Sequence, residues 1–540
     1  MFKKGVLFRS LEKAGQVLRQ RPFLVLAVFV TLINFITMPK VSYRGDPMAI
    51  RASAAHLIKE GSFGIGLDQA PALRIFLEDR GQFFFFNEKK QQYFSKWGIV
   101  SALLFTPPLL ADEMFFGIHA DFSKPEKILH SAMYTDSLIF FLNLYNLGLG
   151  ILVVFYLLKI AQLYTRSIGV AYFFVLCSIY GTFLWHYLRG QSLEIFQVLF
   201  FLGLTYHLIL FLRSRQTTSP KWPQLLPAIA FAGLLATIKP FFVLLFPWLW
   251  IFSVAAPGKD GSWLRGTLDA VGADWKRYAL WLALPTLAVT FIGMGLNDYQ
   301  FGSPFETGYS QLNAGREVPH IRYAISFLPV AMKGYFFHPR YSIFLHDPLL
   351  LFALFGALAF FRKHPTEFGF ICMVFLTYFT FFSCSSIWTG DWTYGPRYLL
   401  FLLPLVSLPF IETTEHLLTK IKGVFGLLGF GTILAVLLVS VKLQISVNSL
   451  PFLVAYELEE RFLGLESPEI NGYFRNNPQG VVLADFLAFR NQNHPFFPLE
   501  LLKMKVPSDQ QKFILQLEAI LKKDPTFESN FFFFRDKDPG

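Results

Sequence analysis

Residues 192–212 read SLEIFQVLFFLGLTYHLILFL, and the part from Phe200 to Leu212, FFLGLTYHLILFL, decides the fold class. About twenty apolar residues in an α-helix cover the ~30 Å hydrocarbon core of a bilayer. A strand of a membrane barrel alternates apolar and polar side chains with a period of two, and this run does not. Inside lipid every backbone N–H and C=O needs a partner within the chain, so the run is a helix. Stretches of the same kind recur through the first 445 of the 540 residues. The composition agrees: 54% of residues are hydrophobic and 16% charged, with a mean hydropathy of +0.44.

The net charge of +11 is read as topological, because Lys and Arg hold loops in the cytoplasm. It does not point to nucleic acid. Cys177, Cys372 and Cys384 lie in or beside apolar segments without metal-ligand spacing and are expected to pack. Residues 1–22 carry Lys3, Lys4, Arg9, Lys13, Arg19 and Arg21 against one acid, Glu12. No small-residue cleavage site follows the first apolar run, so a retained first helix with a cytoplasmic start is expected.

That first span covers about 23–39. Residues 40–136 then form a long loop: an amphipathic helix at 47–60, a polar, turn-rich stretch at 61–95, and a short apolar stretch at 98–118. The last contains Pro107-Pro108 and Asp112-Glu113 and is expected to lie in the interface. Further spans fall at about 137–159, 168–187, 192–212, 224–238, 241–256, 278–296, 342–361, 367–384, 398–413 and 423–445, about eleven in all. The pair meeting at Lys239-Pro240 also reads as one interrupted helix, and charge decides between the two. Two spans place Arg213, Arg215, Lys221, Lys259, Arg265, Lys276, Arg277, Arg362, Lys363, Lys420 and Lys422 inside. One merged span would put the last groups outside, against the positive-inside rule. The expectation is an all-α polytopic membrane protein. A transmembrane domain, 1–445, includes the first periplasmic loop, 40–136, and a periplasmic C-terminal region, 446–540, carries candidate helices near 451–464 and 508–522. No repeat, P-loop, nucleotide fingerprint or His-Glu metal motif appears.

The outer loops hold the residues suited to chemistry. Asp46 follows the first span in Tyr43-Arg44-Gly45-Asp46-Pro47. Asp is a favoured N-cap and Pro a favoured first helical residue. A carboxylate here also suits a base that takes a proton from a hydroxyl, and the two roles are compatible. Lys96, beside Trp97, is either a snorkelling anchor or a cation for a phosphate at headgroup level. Lys239 lies between short apolar segments, where a lone Lys is costly unless it snorkels or pairs. The loop opening with Phe301-Gly302-Ser303-Pro304-Phe305-Glu306-Thr307-Gly308-Tyr309 closes with His338-Pro339-Arg340-Tyr341. Trp388-Thr389-Gly390-Asp391-Trp392-Thr393-Tyr394-Gly395-Pro396-Arg397-Tyr398 bridges two spans. Aromatic faces suit sugar rings, and Arg forks suit phosphate oxygens.

In this order, Asp46, Tyr93-Phe94-Ser95-Lys96-Trp97-Gly98 with Pro107-Pro108, Lys239-Pro240, the Phe301 to Tyr309 run and the Trp388 to Tyr398 run resemble a known family. The chain, over about residues 20–415, resembles bacterial membrane glycosyltransferases of the GT-C fold, akin to protein mannosyltransferases and lipid A aminoarabinose transferases. The resemblance implies transfer of a sugar, with inversion, from a polyprenyl-phosphate carrier to a lipid, glycan or protein acceptor, on the periplasmic side of the bacterial inner membrane. It makes Asp46 the acid that activates the acceptor and Lys96 a phosphate ligand. Lys239, Arg340, Trp388, Asp391, Tyr394 and Arg397 complete the candidate substrate-binding set. The departure is Pro47: many relatives carry a second acid beside the first, here sought at Asp68, Glu78 or Asp79. No metal and no other cofactor is expected. The rival readings are a transporter or flippase of lipid-linked glycans, a glycan ligase or polymerase, and a scaffold.

Overall fold

A computed structural model describes residues 20–39, 46–66, 83–117, 136–190, 192–215, 220–255, 263–313, 321–338, 341–390, 395–421 and 423–449. The expected helices near 451–464 and 508–522, like the rest of the C-terminal region beyond 449, lie outside the described residues.

The chain is helical, with one small sheet. In order come α1 (Pro22–Ile36), α2 (Asp46–Glu60), β1 (Ile65–Gly66), β2 (Phe84–Asn87), β3 (Gln92–Ser95), α3 (Gly98–Phe116), α4 (Asp136–Tyr164), α5 (Ile168–Tyr180), α6 (Leu184–Arg189), α7 (Glu194–Arg215), α8 (Leu225–Ile238), α9 (Leu245–Val254), α10 (Trp263–Tyr278), α11 (Leu284–Phe301), α12 (Gly308–Asn313), α13 (Leu328–Phe337), α14 (Ile343–His346), α15 (Leu349–Lys363), α16 (Pro365–Ser383), α17 (Leu403–Val406), α18 (Phe410–Thr419) and α19 (Val424–Ser449). Among the described residues six helical stretches are long and apolar enough to cross a membrane: Gly98–Phe116, Ser137–Tyr164, Glu194–Arg215, Thr267–Phe301, Pro365–Ser383 and Val424–Ile445. Shorter apolar helices include Pro22–Ile36, Ile168–Tyr180, Trp222–Ile238 and Pro240–Val254.

Local chemistry sets several of the boundaries. Ser167 caps α5 by accepting the Val170 N–H, and Ser342 caps α14 by accepting that of Leu345. Such caps satisfy donors that a helix start leaves orphaned. Gly302, at φ 78°, closes α11 in the left-handed conformation that favours glycine. The expected spans 342–361 and 398–413 are interrupted rather than continuous. Pro348, Pro404 and Pro409 stand in them, and proline cannot donate to a helix ladder. The freed groups are satisfied nearby: the Asp347 carboxylate accepts from the Leu349 N–H at 3.2 Å and the Ser407 hydroxyl at 3.1 Å.

Hydrogen bonds at the helix ends sort them onto two faces. On one, Arg215 donates to the carbonyls of Ser253 and Ala255 at 2.7 and 3.0 Å. Arg213 pairs with Glu367 at 3.1 Å and donates to the Leu163 carbonyl, and Lys363 pairs with Glu412 at 2.6 Å. Trp222 packs between Phe211 and Tyr278. The end of α7, the start of α8, the end of α9 and the start of the stretch leading into α11 therefore meet there. So α8 and α9 run in opposite directions, with the Lys239-Pro240 break between them at the other face. This first face carries Arg213, Arg215, Lys221, Arg277 and Lys363.

At the opposite face Arg189 donates to the Asn448 carbonyl at 3.0 Å and to that of Thr37. Asn146 donates to the Gly190 carbonyl at 2.6 Å, and Trp185 to the Asn34 side chain at 3.1 Å. These contacts gather the ends of α1, α6 and α19 with the start of α7 and the first part of α4. The chain thus reaches residue 449 on the face that holds Lys239.

On this same face α3 lies across the bundle. It runs unbroken through Pro107 and Pro108, although its length and composition alone suit a crossing. Gly98 at its start sits against the Thr237 carbonyl. Phe105 in its middle packs on Phe196, and Phe115 and Phe116 at its end pack on Phe141 near the start of α4. Both ends and the middle contact the same side of the bundle. Helix α2 packs on α3 and β3. It is not simply amphipathic: every residue from Ala49 to His56 is buried. The stretch expected to be polar and turn-rich, 61–95, contains an antiparallel sheet of order β1-β3-β2, with Phe86 opposite Tyr93 and Ile65 opposite Tyr93 on the other side.

The topology has a direct test. In a background lacking Cys177, Cys372 and Cys384, single cysteines at Thr389, Lys420 and Asn530 are treated with a membrane-impermeant thiol reagent on intact cells. Positions 389 and 530 should label and 420 should not. Labelling at 530 only after permeabilisation would overturn the orientation.

Candidate active site

Three chain segments converge at the face of Lys239. Helix α7 begins with Glu194. Helix α8 stops at Lys239, whose backbone is extended (φ −143°, ψ 120°) because a proline follows, and a 3₁₀ turn, Pro240–Leu244, leads into α9. The third segment is a 3₁₀ turn opened by Arg397 after Gly395-Pro396. Gly395 has a φ of +66°, and a Cβ there would lie 2.8 Å from the Phe183 ring, so this approach requires glycine. Tyr398 stacks on Phe382 at 4.8 Å, while Phe401 wedges between Phe201 and Phe242. The packing fixes Arg397 beside the ends of α7 and α8.

The result is a buried ionic cluster. The Lys239 ammonium lies 3.4 Å from Glu194 Oε1, and Arg397 Nη1 lies 3.9 Å from the same oxygen. Side-chain exposure is 4% for Lys239, 7% for Glu194 and 14% for Arg397, so none is a solvated surface charge. Lys239 also stands 5.9 Å from the rings of Phe241 and Tyr398, and the Arg397 guanidinium 5.2 Å from Tyr398. Removing charges from water is costly, and a buried ion pair is weak evidence for stability. Lys239, Glu194 and Arg397 form a buried ionic cluster where helix ends meet.

A third cation stands on the same face. Lys96 follows β3, with its ammonium 4.3 Å over the Trp97 indole, 5.3 Å from Phe83 and 5.9 Å from Tyr309. The two long loops clamp each other around it. Asn87 donates to the Gln300 carbonyl at 3.0 Å, Lys89 to that of Gly302 at 3.1 Å, and Lys90 lies 3.5 Å over the Tyr299 ring. Gly308 presses on the backbone of Lys96 so closely that a Cβ would collide with it. The contact of Gly98 with Thr237 joins this loop pair to the end of α8, two residues before Lys239.

Of the residues singled out in the sequence, Lys239 and Arg397 come together and Lys96 shares their face. Trp388 is engaged in packing: Tyr335 and Tyr341 meet its ring edge-on at 5.3 Å each, its carbonyl accepts from the Tyr335 hydroxyl, and a Cβ at Gly334 would collide with the indole. Asp46 is the first residue of α2. Its side chain, with Arg340, Asp391 and Tyr394, lies outside the described residues, as do Asp68, Glu78 and Asp79. Glu194 was missed by the sequence reading. The signal was available: it is the single acid in the 192–212 span, and a costly lone Lys at the end of the neighbouring span needs such a partner. Among the described residues no three His, Cys, Asp or Glu side chains are grouped to hold a metal ion.

Fold and site together define a polytopic helical membrane protein with a buried ionic cluster at one face. No family model matches the sequence, and no curated protein matches it. Among solved structures the chain is similar to ArnT from Cupriavidus metallidurans bound to undecaprenyl phosphate, with 11% identity, a TM-score of 0.41 and coverage of 93% of this chain and 72% of that one. The apo state of the same protein gives 10% identity, a TM-score of 0.44 and coverage of 95% and 73%. It is also similar to the archaeal oligosaccharyltransferase AglB from Archaeoglobus fulgidus in complex with an inhibitory peptide and a dolichol-phosphate, with 12% identity, a TM-score of 0.43 and coverage of 97% and 62%.

Proposed function

We propose that this chain is an inverting membrane glycosyltransferase, moving a sugar from a polyprenyl-phosphate donor to a hydroxyl of a lipid, glycan or protein on the periplasmic side of a bacterial inner membrane. One observation carries the reading: Lys239 and Arg397 are buried side by side at helix ends, on the face of Lys96. Buried cations at such a face suit a lipid phosphate at headgroup level. The acceptor oxygen attacks the anomeric carbon, its proton passes to Asp46, and the bond from that carbon to the phosphate oxygen breaks. A single displacement inverts the anomeric centre. Negative charge grows on the departing phosphate, and fixed cations aimed at it lower the barrier. The carboxylate at 46, at the start of α2, supplies the base.

The test uses protein purified in detergent and radiolabelled polyprenyl-phosphate sugars. Covalent transfer of label to an acceptor supports an enzyme; movement of unaltered lipid-linked sugar across a vesicle supports a transporter. Lys96→Ala and Arg397→Ala should each lower donor affinity and turnover about tenfold or more, in line with lost charge-assisted hydrogen bonds. Arg397→Lys should also impair turnover, because an ammonium cannot reproduce a planar two-point contact. Unchanged affinity and turnover in both alanine variants would remove the phosphate assignment.

A further inference from the structure

Glu194 pairs with Lys239, but the phosphate reading leaves it without a part in binding. An anion site gains nothing in affinity from a carboxylate beside its cations. A Glu at a helix start is favoured by the helix dipole, but that does not account for a position within 3.4 and 3.9 Å of both cations. Any phosphate drawn to Lys239 and Arg397 approaches Glu194 too, and their repulsion scales with the charge on the phosphate. The two forms of the lipid carrier differ in that charge. A sugar-bearing carrier phosphate is a diester with one negative charge. The carrier released after transfer is a monoester, which approaches two negative charges above pH 7.

We infer that Glu194 is a specificity-determining residue that discriminates by phosphate charge, holding the cation pair ready for a singly charged donor diester and weakening its grip on the doubly charged carrier left after transfer. This rests on the phosphate-site reading above. Glu194 forms no bond to the reacting atoms. It acts through Lys239 and Arg397, neutralising part of their field in the empty site and opposing the second charge of the product. The same property disfavours donors carrying a diphosphate. The helix start at Glu194, the proline-stopped end of α8 and the packed turn at Arg397 hold the three groups in place.

The experiment compares two short-chain probes on the full chain in detergent at pH 8: farnesyl methyl phosphate, a monoanionic diester, and farnesyl phosphate, the monoester. Wild type, Glu194→Gln and Glu194→Asp are titrated with each, after gel filtration has established folded protein. Glu194→Gln should tighten binding of the monoester about fiftyfold more than that of the diester, the size expected for one unit charge removed about 7 Å away at an effective dielectric of about 20. Product inhibition by farnesyl phosphate should rise in parallel. Glu194→Asp, which keeps the charge, should restore the wild-type ratio. A purely structural ion pair changes thermal stability in Glu194→Gln but leaves the monoester-to-diester ratio as it was. That ratio unchanged, with binding still dependent on Lys239 and Arg397, overturns the role of Glu194 alone. Binding insensitive to both Lys239→Ala and Arg397→Ala, or inorganic phosphate competing as well as farnesyl phosphate, overturns the lipid-phosphate site itself and the role of Glu194 with it.

Discussion

Lys239→Ala is expected to destabilise the protein by about 3 kcal/mol, the lower end of the range for breaking a buried ion pair from one side. The reason is what remains. Glu194 keeps 7% exposure and loses the nearer of the two cations beside it, at 3.4 Å, retaining Arg397 at 3.9 Å. A carboxylate left under-compensated in the interior costs far more than the intact pair contributed. The double variant Glu194→Gln/Lys239→Met should therefore be more stable than Lys239→Ala alone, since it removes both charges and keeps most of the volume. Thermal unfolding in detergent, followed by tryptophan fluorescence, reads the difference. A double variant as unstable as the single one would mean that Glu194 and Lys239 are not energetically coupled. Activity should be lost in both variants, because each lacks a cation for the phosphate; stability and turnover thus part company in the double variant.

What the sequence makes legible here is what short-range physics decides. The apolar runs were readable because lipid requires each helix to satisfy its own backbone, whatever its neighbours are. The break at Lys239-Pro240 was readable because proline stops a helix locally and the loop charges choose a side. The rest depends on packing between distant segments. Glu194 and Lys239 are 45 residues apart, and only the pairing of α7 with α8 brings them together. Helix α2 reads as half polar, yet Arg51 and His56 are buried because α3 and the sheet cover it. The sheet itself depends on an apolar strand, Phe84–Asn87, folding back over the polar turn 88–91 onto Gln92–Ser95. Trp388, a candidate for substrate binding, is packed by two tyrosines and a glycine from segments more than forty residues earlier.

Asp46→Asn should leave the fold intact and lower sugar transfer by roughly 10²- to 10⁴-fold, the usual range for general-base catalysis. Asp46 opens α2, and α2 packs on α3 and β3, the elements that lead into and out of Lys96. A carboxylate at a helix start is kept ionised by the helix dipole, and an ionised acid accepts the proton of an attacking hydroxyl. The same position suits a plain N-cap, so the variant must separate the two roles. Asn caps about as well as Asp but cannot take the proton. If the residue only caps, Asp46→Asn folds and transfers sugar near the wild-type rate, whereas Asp46→Ala loses about 1 kcal/mol of stability. If it is the base, Asp46→Asn still folds and still binds the donor through Lys239 and Arg397, and only the transfer step fails. Donor binding and single-turnover transfer, measured on one preparation, distinguish these outcomes. Wild-type transfer by Asp46→Asn would remove Asp46 from the mechanism and direct the search for the base to Asp68, Glu78, Asp79 and Asp391.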